Sequence, residues 1–230
     1  MLSIVIPAFN EEAVIGDTVA DVQKHFRPDE LIVVSDGSTD RTDEIAANRG
    51  ARVIRLPQNR GKGAAVRQGI LDARGDVIAF IDADMPYRPE NLERAIELVR
   101  TNAADLAIGA RDLPESESDP SYPTRRKLAG RTLSLLIRVF LMRDITDTQC
   151  GLKAFRGDVA RQLFSDSRID GFGFDFEVLF LAHRRGLRIA RVPVNLSHRH
   201  ASRVRLVRDS LIMLRDLLRA RFSPQRGRRD

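Results

Sequence analysis

The amino-acid sequence predicts an α/β domain with a mostly parallel central sheet and helices on both of its faces. Three observations carry that expectation: short β-branched runs without polar alternation, apolar residues at helical spacing between those runs, and a regular alternation of the two. Leu2–Pro7 is the first run, closed by its proline, and Glu12–Phe26 follows with Val14, Ile15, Val19, Val22 and Phe26 at helical spacing. Leu31–Val34 repeats the strand signal, and the loop Asp36–Thr42 turns into a helix through Ile45, Ala46 and Ala47. Val53–Leu56 reads as a third strand, Gly63–Arg74 as a helix, Val77–Ile81 as a fourth strand, Pro89–Thr101 as a helix, and Asp105–Ile108 as a further strand. There the alternation stops. Asp112–Pro123 reads as a Pro-, Ser- and Glu-rich loop, Thr124–Met142 as a helix that turns apolar from Leu133, and Phe174–Arg185 as another helix. Arg188–Val194 looks like a late strand, and Val204–Arg221 like a last helix whose leucines stand among arginines. Right-handed crossovers bring the loops after the parallel strands to one edge, where open sheets of this kind bind ligands.

Length and composition narrow the function. The 230 residues suit one domain, or at most two small ones, at about 100–200 residues each. A single cysteine, Cys150, excludes a disulfide framework within the chain, and four scattered histidines argue against a His/Cys zinc site, so a reducing, cytoplasmic compartment is expected. Met1–Asn10 enters an apolar run without a basic region or cleavage signal, and no stretch nears the ~18 apolar residues of a spanning helix. A soluble or peripheral chain follows as the expectation. The net charge of +6 is local: residues 199–230 hold ten Arg against three Asp, whereas residues 1–198 hold 28 basic against 29 acidic side chains. A division is therefore expected between a near-neutral body, residues 1–198, and a basic amphipathic helix and tail, residues 199–230. A nucleic-acid-binding body would spread its charge over a surface with interleaved aromatics, so nucleic acid is not expected as a partner.

Four loop segments carry chemistry. Asp82-Ala-Asp84 follows the strand Val77–Ile81 directly, and two carboxylates one residue apart at a strand end can approach one hard divalent cation, Mg²⁺ or Mn²⁺, together with substrate phosphates. Two solvated loop acids, or a helix N-cap ahead of Pro89-Glu90, is the alternative. Asp36-Gly-Ser-Thr-Asp40 follows the second strand, where Asp36 can accept hydrogen bonds from a base or ribose; a turn capped by Ser38 or Asp40 explains the same residues. Pro7-Ala-Phe-Asn-Glu-Glu12 follows the first strand. Asn59-Arg-Gly-Lys-Gly63 places two glycines around Lys62 before a helix, a setting suited to nucleotide phosphate, though it is neither a Walker A sequence nor a full G-x-G-x-x-G.

In this order and spacing the four segments resemble the GT-A glycosyltransferases of family 2, and the resemblance covers nearly the whole chain. Gly109-Ala-Arg111, Arg125-Arg-Lys127, Asp147–Lys153 and Gly171–Glu177 are similar to the corresponding segments of polyprenyl-phosphate sugar synthases, with Asp147-Thr-Gln-Cys-Gly and Phe174-Asp-Phe-Glu177 closest to the dolichyl-phosphate β-glucosyltransferase branch. The resemblance implies a Rossmann-like GT-A nucleotide-diphospho-sugar transferase fold. It further implies nucleotide contacts at Pro7, Ala8, Glu12, Asp36, Lys62, Asp82 and Ala83, and metal ligation by Asp84 with Asp82. It likewise implies that Arg111 and Arg125 grip the acceptor phosphate, with Arg131 a contributor. Mannose-type relatives carry a glutamine two residues after the second aspartate; Pro86 stands there and has no such donor, which favours the glucose-type branch.

The implied reaction is inverting transfer of a hexose from a nucleotide sugar, UDP-glucose before GDP-mannose, to a polyprenyl phosphate at a membrane surface. A phosphate acceptor is already anionic near neutrality and needs no strong base; two arginines can hold it by planar, bidentate contacts. Asp147 then orients the acceptor or acts as a base, and a loop acid paired with Lys153 or a nearby arginine is the alternative. Asp175 and Glu177 shape the acceptor mouth or pair with arginines. Cys150 reads as a small structural residue, the Phe172, Phe174 and Phe176 cluster as packing, and His198 and His200 as edge residues within reach of the donor. The rival enzyme is a family 2 transferase with a hydroxyl acceptor; the rival of another class is a non-catalytic nucleotide- or nucleic-acid-binding module. The chain is expected at the inner, cytoplasmic face of a membrane, held there by its basic tail, with a homo-oligomer left open.

Overall fold

A computed structural model of the protein describes residues 1–116, 147–195 and 215–217. Its elements are β1 (Leu2–Ala8), α1 (Ile15–Phe26), β2 (Glu30–Ser35), α2 (Thr42–Asn48), β3 (Arg52–Arg55), α3 (Lys62–Asp72), β4 (Val77–Ile81), α4 (Pro89–Arg100), β5 (Leu106–Ala110), β6 (Leu152–Arg156), α5 (Gly157–Asp166), α6 (Phe174–Arg184) and β7 (Ile189–Pro193). The seven strands form one sheet in the order β3-β2-β1-β4-β6-β5-β7. All neighbours are parallel except β6, which lies antiparallel between β4 and β5. The expected mostly parallel α/β sheet is therefore present.

The period of two along each strand sorts its side chains into two cores. On one face Val5, Ile32, Val34, Ile78, Phe80, Leu106, Ile108 and Phe155 meet α3, α5 and α6. On the other, Ile4, Ile6, Val33, Ala79, Ile81, Ala107, Leu152 and Ala154 meet α1, α2 and α4. Phe80 is fully buried between Phe155 and Phe174, with ring centroids 6.3 and 5.8 Å away. Leu217, from the far C-terminal region, is fully buried in the first of these cores.

Two elements escaped the sequence reading. β6 is written Leu-Lys-Ala-Phe-Arg, so the ammonium of Lys153 breaks the apolar run that marks the other strands, and α5 is a ten-residue amphipathic helix entered directly from it. Because β6 runs against its neighbours, its beginning lies beside the ends of β4 and β5, Ile81 pairing with Leu152. One edge of the sheet thus gathers the ends of β1, β2, β4, β5 and β7 with the start of β6. The expected helix over 124–142, Arg125 and Arg131, His198 and His200, and most of the helix expected over 204–221 lie outside the described residues.

Candidate active site

On the half of that edge formed by β1, β2 and β4, the loops are locked to one another. Asp36 is buried, and its amide donates to the Ala8 carbonyl at 2.8 Å, joining the ends of β1 and β2. Its two carboxylate oxygens accept the backbone N–H groups of Arg60 at 2.8 Å and Gly61 at 2.7 Å. Asp36 therefore moulds the loop before α3. Gly61 has φ +110°, and a Cβ there would lie 2.5 Å from the Asp170 carbonyl oxygen, so the loop needs glycine to rest on residues 169–171. That close approach is to protein backbone, a cause the sequence did not reveal. Glu12 accepts the Arg41 amide at 3.1 Å while its own amide donates to Asp40 at 3.1 Å, which ties the segment after Pro7-Ala8 to the loop after β2.

Asp82-Ala-Asp84 is held from three directions. The Met85 amide donates back to the Asp82 carbonyl at 3.0 Å in a tight turn, and Met85 adopts φ +37°, a strained value for a non-glycine residue. Thr18 of α1 donates its hydroxyl to the Ala83 carbonyl at 2.6 Å. The Asp82 carboxylate lies over Gly151, where a Cβ would stand 1.9 Å from Oδ2. Against Asp82 stands Lys62, the first residue of α3, with Nζ 2.5 Å from Oδ1. Burial works against the Lys62 ammonium, but the carboxylates of Asp82, Asp175 and Asp84 outweigh it and raise its pKa above the ordinary lysine value. Among the described residues no three His, Cys, Asp or Glu side chains cluster as a metal site. Two carboxylates at one strand end, one already carrying a cationic head, fit a hard divalent ion whose remaining ligands come from phosphate oxygens and water.

The other half of the edge is built from β5, β6 and α6. Arg111 follows β5, and Asp147 receives it completely: the Arg111 amide, Nε and Nη2 each donate to the carboxylate at 2.8 Å. The guanidinium retains 46% side-chain exposure whereas Asp147 retains 9%, so the pair fixes an arginine that still faces outward. Burial pushes the Asp147 carboxyl up, yet the hydrogen bonds and charge of Arg111 prevail and hold it below the ordinary carboxylate value. Of the two partners left open from the sequence, the arginine is the one found. A carboxylate so engaged and so acidic is poorly suited to take a proton.

Behind these groups lies a fully buried ion pair. Lys153 Nζ donates to Asp175 Oδ1 at 2.6 Å and to the Cys150 carbonyl at 2.7 Å, over the ring of Phe80. Asp175 thus pairs with a lysine, not with the arginines expected. Glu177 also departs from expectation: it accepts the Ser167 hydroxyl at 2.7 Å and the amides of Arg168 and Ile169 at 3.0 Å, closing the turn that leads into α6. Cys150 is buried, and burial pushes its thiol up to about 11, which makes it inert. Phe174 and Phe176 are core residues, while Phe172 stays 38% exposed. The sequence reading missed the Lys153–Asp175 pair, because the strand that buries Lys153 was itself not recognised.

Comparison with known proteins gives a consistent picture. The family model described as glycosyl transferase family 2 matches residues 3–164. Glycosyltransferase AglD of Haloferax volcanii is 34% identical over 229 residues, covering 95% of this chain but 36% of its own length. The dolichyl-phosphate beta-glucosyltransferase of Drosophila melanogaster is 35% identical over 237 residues, covering 94% of this chain and 73% of its own. Among solved structures, glucosyl-3-phosphoglycerate synthase from Mycobacterium tuberculosis in complex with Mn²⁺, UDP and glucosyl-3-phosphoglycerate superposes with a TM-score of 0.75 at 26% identity, covering 99% of this chain and 82% of that one.

Proposed function

The chain belongs to glycosyl transferase family 2, and from that premise we propose that it transfers a hexose, with inversion, from a nucleotide sugar to the phosphate of a polyprenyl phosphate. Glucose from UDP-glucose is the favoured donor sugar, because several relatives similar over most of the chain are named dolichyl-phosphate beta-glucosyltransferases and a structural neighbour was solved with UDP and Mn²⁺. The observation that carries the proposal is the meeting, on one sheet edge, of an acidic pair suited to a metal–diphosphate and an arginine fixed for a second anion.

Asp82 and Asp84 would hold Mg²⁺ or Mn²⁺, which when bound neutralises charge growing on the departing nucleoside diphosphate. Lys62, at the start of α3, faces the same diphosphate, and the walls built by Pro7, Ala8, Glu12, Asp36 and Ala83 shape the nucleotide's seat. Arg111 grips the acceptor phosphate, with Arg125 as its proposed second arm. Asp147 keeps the Arg111 fork in one orientation, so the bound phosphate oxygen faces the sugar without paying for side-chain ordering at each turnover. The acceptor oxygen is already anionic, and no proton has to be removed before it attacks. The acidity of Asp147 supports this reading over one with a hydroxyl acceptor, which would need a base.

Among the described residues no helix is long and apolar enough to cross a membrane. The acceptor lies in a bilayer, so the arginines of residues 199–230 are proposed to hold the enzyme at an anionic, inner membrane face. Burial of Asp216 and Leu217 against the body supports attachment through charge more than through an inserted apolar stripe. A donor panel tests the whole reading: the protein, Mn²⁺, a short polyprenyl phosphate and a set of UDP- and GDP-sugars, with lipid products identified by mass. Glucosyl-phosphoryl-polyprenol from UDP-glucose is the expected product. Transfer to a hydroxyl acceptor with none to the lipid phosphate would refute it.

A further inference from the structure

We infer that the Lys62 ammonium is an internal stand-in for the metal: it occupies Asp82 when the site is empty and moves to the donor diphosphate when the divalent cation takes its place. The inference rests on the reading of Asp82 and Asp84 as metal ligands. Its basis is the direct contact of Lys62 Nζ with Asp82 Oδ1 at 2.5 Å, in a site where the Lys62 side chain is 19% exposed and Asp82 29%. The other buried carboxylate in the neighbourhood, Asp175, is engaged by Lys153 at 2.6 Å. Lys62 is therefore held by the acidic group that a metal would also use.

The two cations cannot share that carboxylate comfortably. Mg²⁺ sits about 2.0–2.1 Å from a ligating oxygen, and a divalent and a monovalent charge gathered on one carboxylate in a half-buried site repel strongly. The root of Lys62 is fixed, because Gly61 on its N-terminal side is held by Asp36 and Ala64 donates its amide to the Asp170 carbonyl at 3.1 Å. Its charge sits at the end of a four-carbon stem, which can redirect a point charge without rebuilding the backbone. A diphosphate seated beside the metal would supply the anion that receives the displaced ammonium.

Metal alone must evict Lys62 with no anion to receive it, and nucleotide alone must draw Lys62 away from an acid left bare. Together each removes the other's cost, which is positive coupling between the two ligands and by linkage acts equally in both directions. The test measures Mn²⁺ binding by electron paramagnetic resonance of the free ion, with and without UDP, in wild type, Lys62→Met, Lys62→Gln, Lys62→Arg and, as a control for the general electrostatic field, Arg60→Met. With UDP absent, Lys62→Met and Lys62→Gln should bind Mn²⁺ at least about tenfold more tightly than wild type, a lower bound because the repulsion removed involves a divalent charge and is stronger near a protein surface than in water. Their gain in Mn²⁺ affinity on adding UDP should shrink, Lys62→Arg should resemble wild type, and Arg60→Met should change little. Unchanged or weaker Mn²⁺ binding in both neutral Lys62 variants, or an equal gain in Arg60→Met, overturns the exchange while leaving the metal site standing. No Mn²⁺ binding by wild type even with UDP would overturn the metal reading and the exchange with it.

Discussion

The two halves of the proposed catalytic edge, one for the donor and one for the acceptor, hold their charges by different means. On the donor half, Asp36, Glu12 and Asp40 spend their oxygens on backbone amides, and the loops become a rigid mould around a lysine and two acids. On the acceptor half, one side chain holds another: Asp147 grips Arg111 through three 2.8 Å hydrogen bonds, and no comparable lattice of loop amides surrounds the guanidinium among the described residues. The difference suits the two proposed ligands. A nucleoside diphosphate with its cation needs a seat of fixed shape, whereas a phosphate on a long lipid arrives from a bilayer and needs a fixed direction of approach. Variants on the two halves should therefore fail differently.

The largest effect is expected on the donor half. Asp84→Asn should lower transfer by about a thousandfold or more, since charge stabilisation by a bound metal is worth several kcal/mol. EDTA should reproduce that loss in wild type, and circular dichroism of the variant should be unchanged. Full turnover in EDTA would remove the metal from the account and erase the contrast between the halves.

The buried Lys153–Asp175 pair lies behind both halves, and its removal should unfold before it misaligns. Lys153→Met leaves Asp175 uncompensated and should cost about 3–5 kcal/mol in urea denaturation, whereas the double change Lys153→Met/Asp175→Leu should cost clearly less. If the single and double variants lose the same stability, the pair is not an electrostatic unit.

On the acceptor half, Asp147→Asn should raise the apparent KM for lipid phosphate by about tenfold, with UDP affinity kept, because a misdirected arginine loses bidentate contact while the donor mould is untouched. Arg111→Ala should shift KM in the same direction and further. An equal loss of nucleotide binding in either variant would dissolve the division of labour between the halves.

Much of the donor half was legible in the sequence because three of its four motifs follow directly on a strand with a clear apolar signal: Val77–Ile81 points straight at Asp82. The acceptor half was legible only by resemblance. Its central strand, β6, contains Lys153 and Arg156, so the pattern that identifies strands fails there, and the antiparallel pairing of β6 with β5, whose ends bring Asp147 beside Arg111, could not be read from spacing. The partners of Asp175 and Glu177 were likewise hidden, since burial of an acid depends on a lysine or a turn brought in by tertiary packing. The two glycines around Lys62 looked like a phosphate cradle, and their backbone contacts with residues 169–171 became visible only in three dimensions.

The smallest expected effect is on pH and again separates the halves. Asp147 titrates below its ordinary value of 3.8 because Arg111 favours the carboxylate. Its folded pKa is thus below its unfolded one, so the pair's stabilisation is complete above the unfolded value and is lost as pH falls through the folded one. Arg111 is nearly half exposed, and water screens the pair, so a contribution of about 1 kcal/mol is expected near neutrality. Asp40, Asp105 and Asp158 also titrate low, which makes acid destabilisation of the wild type a shared effect. The informative quantity is the difference in urea stability between wild type and Asp147→Asn, followed from about pH 6 down to about pH 3. That difference should hold steady near neutrality and narrow below about pH 4, where the unfolded carboxyl begins to take its proton. A difference that stays constant across the range would mean that Asp147 holds Arg111 by shape and hydrogen bonding alone, with its charge contributing nothing to the clamp.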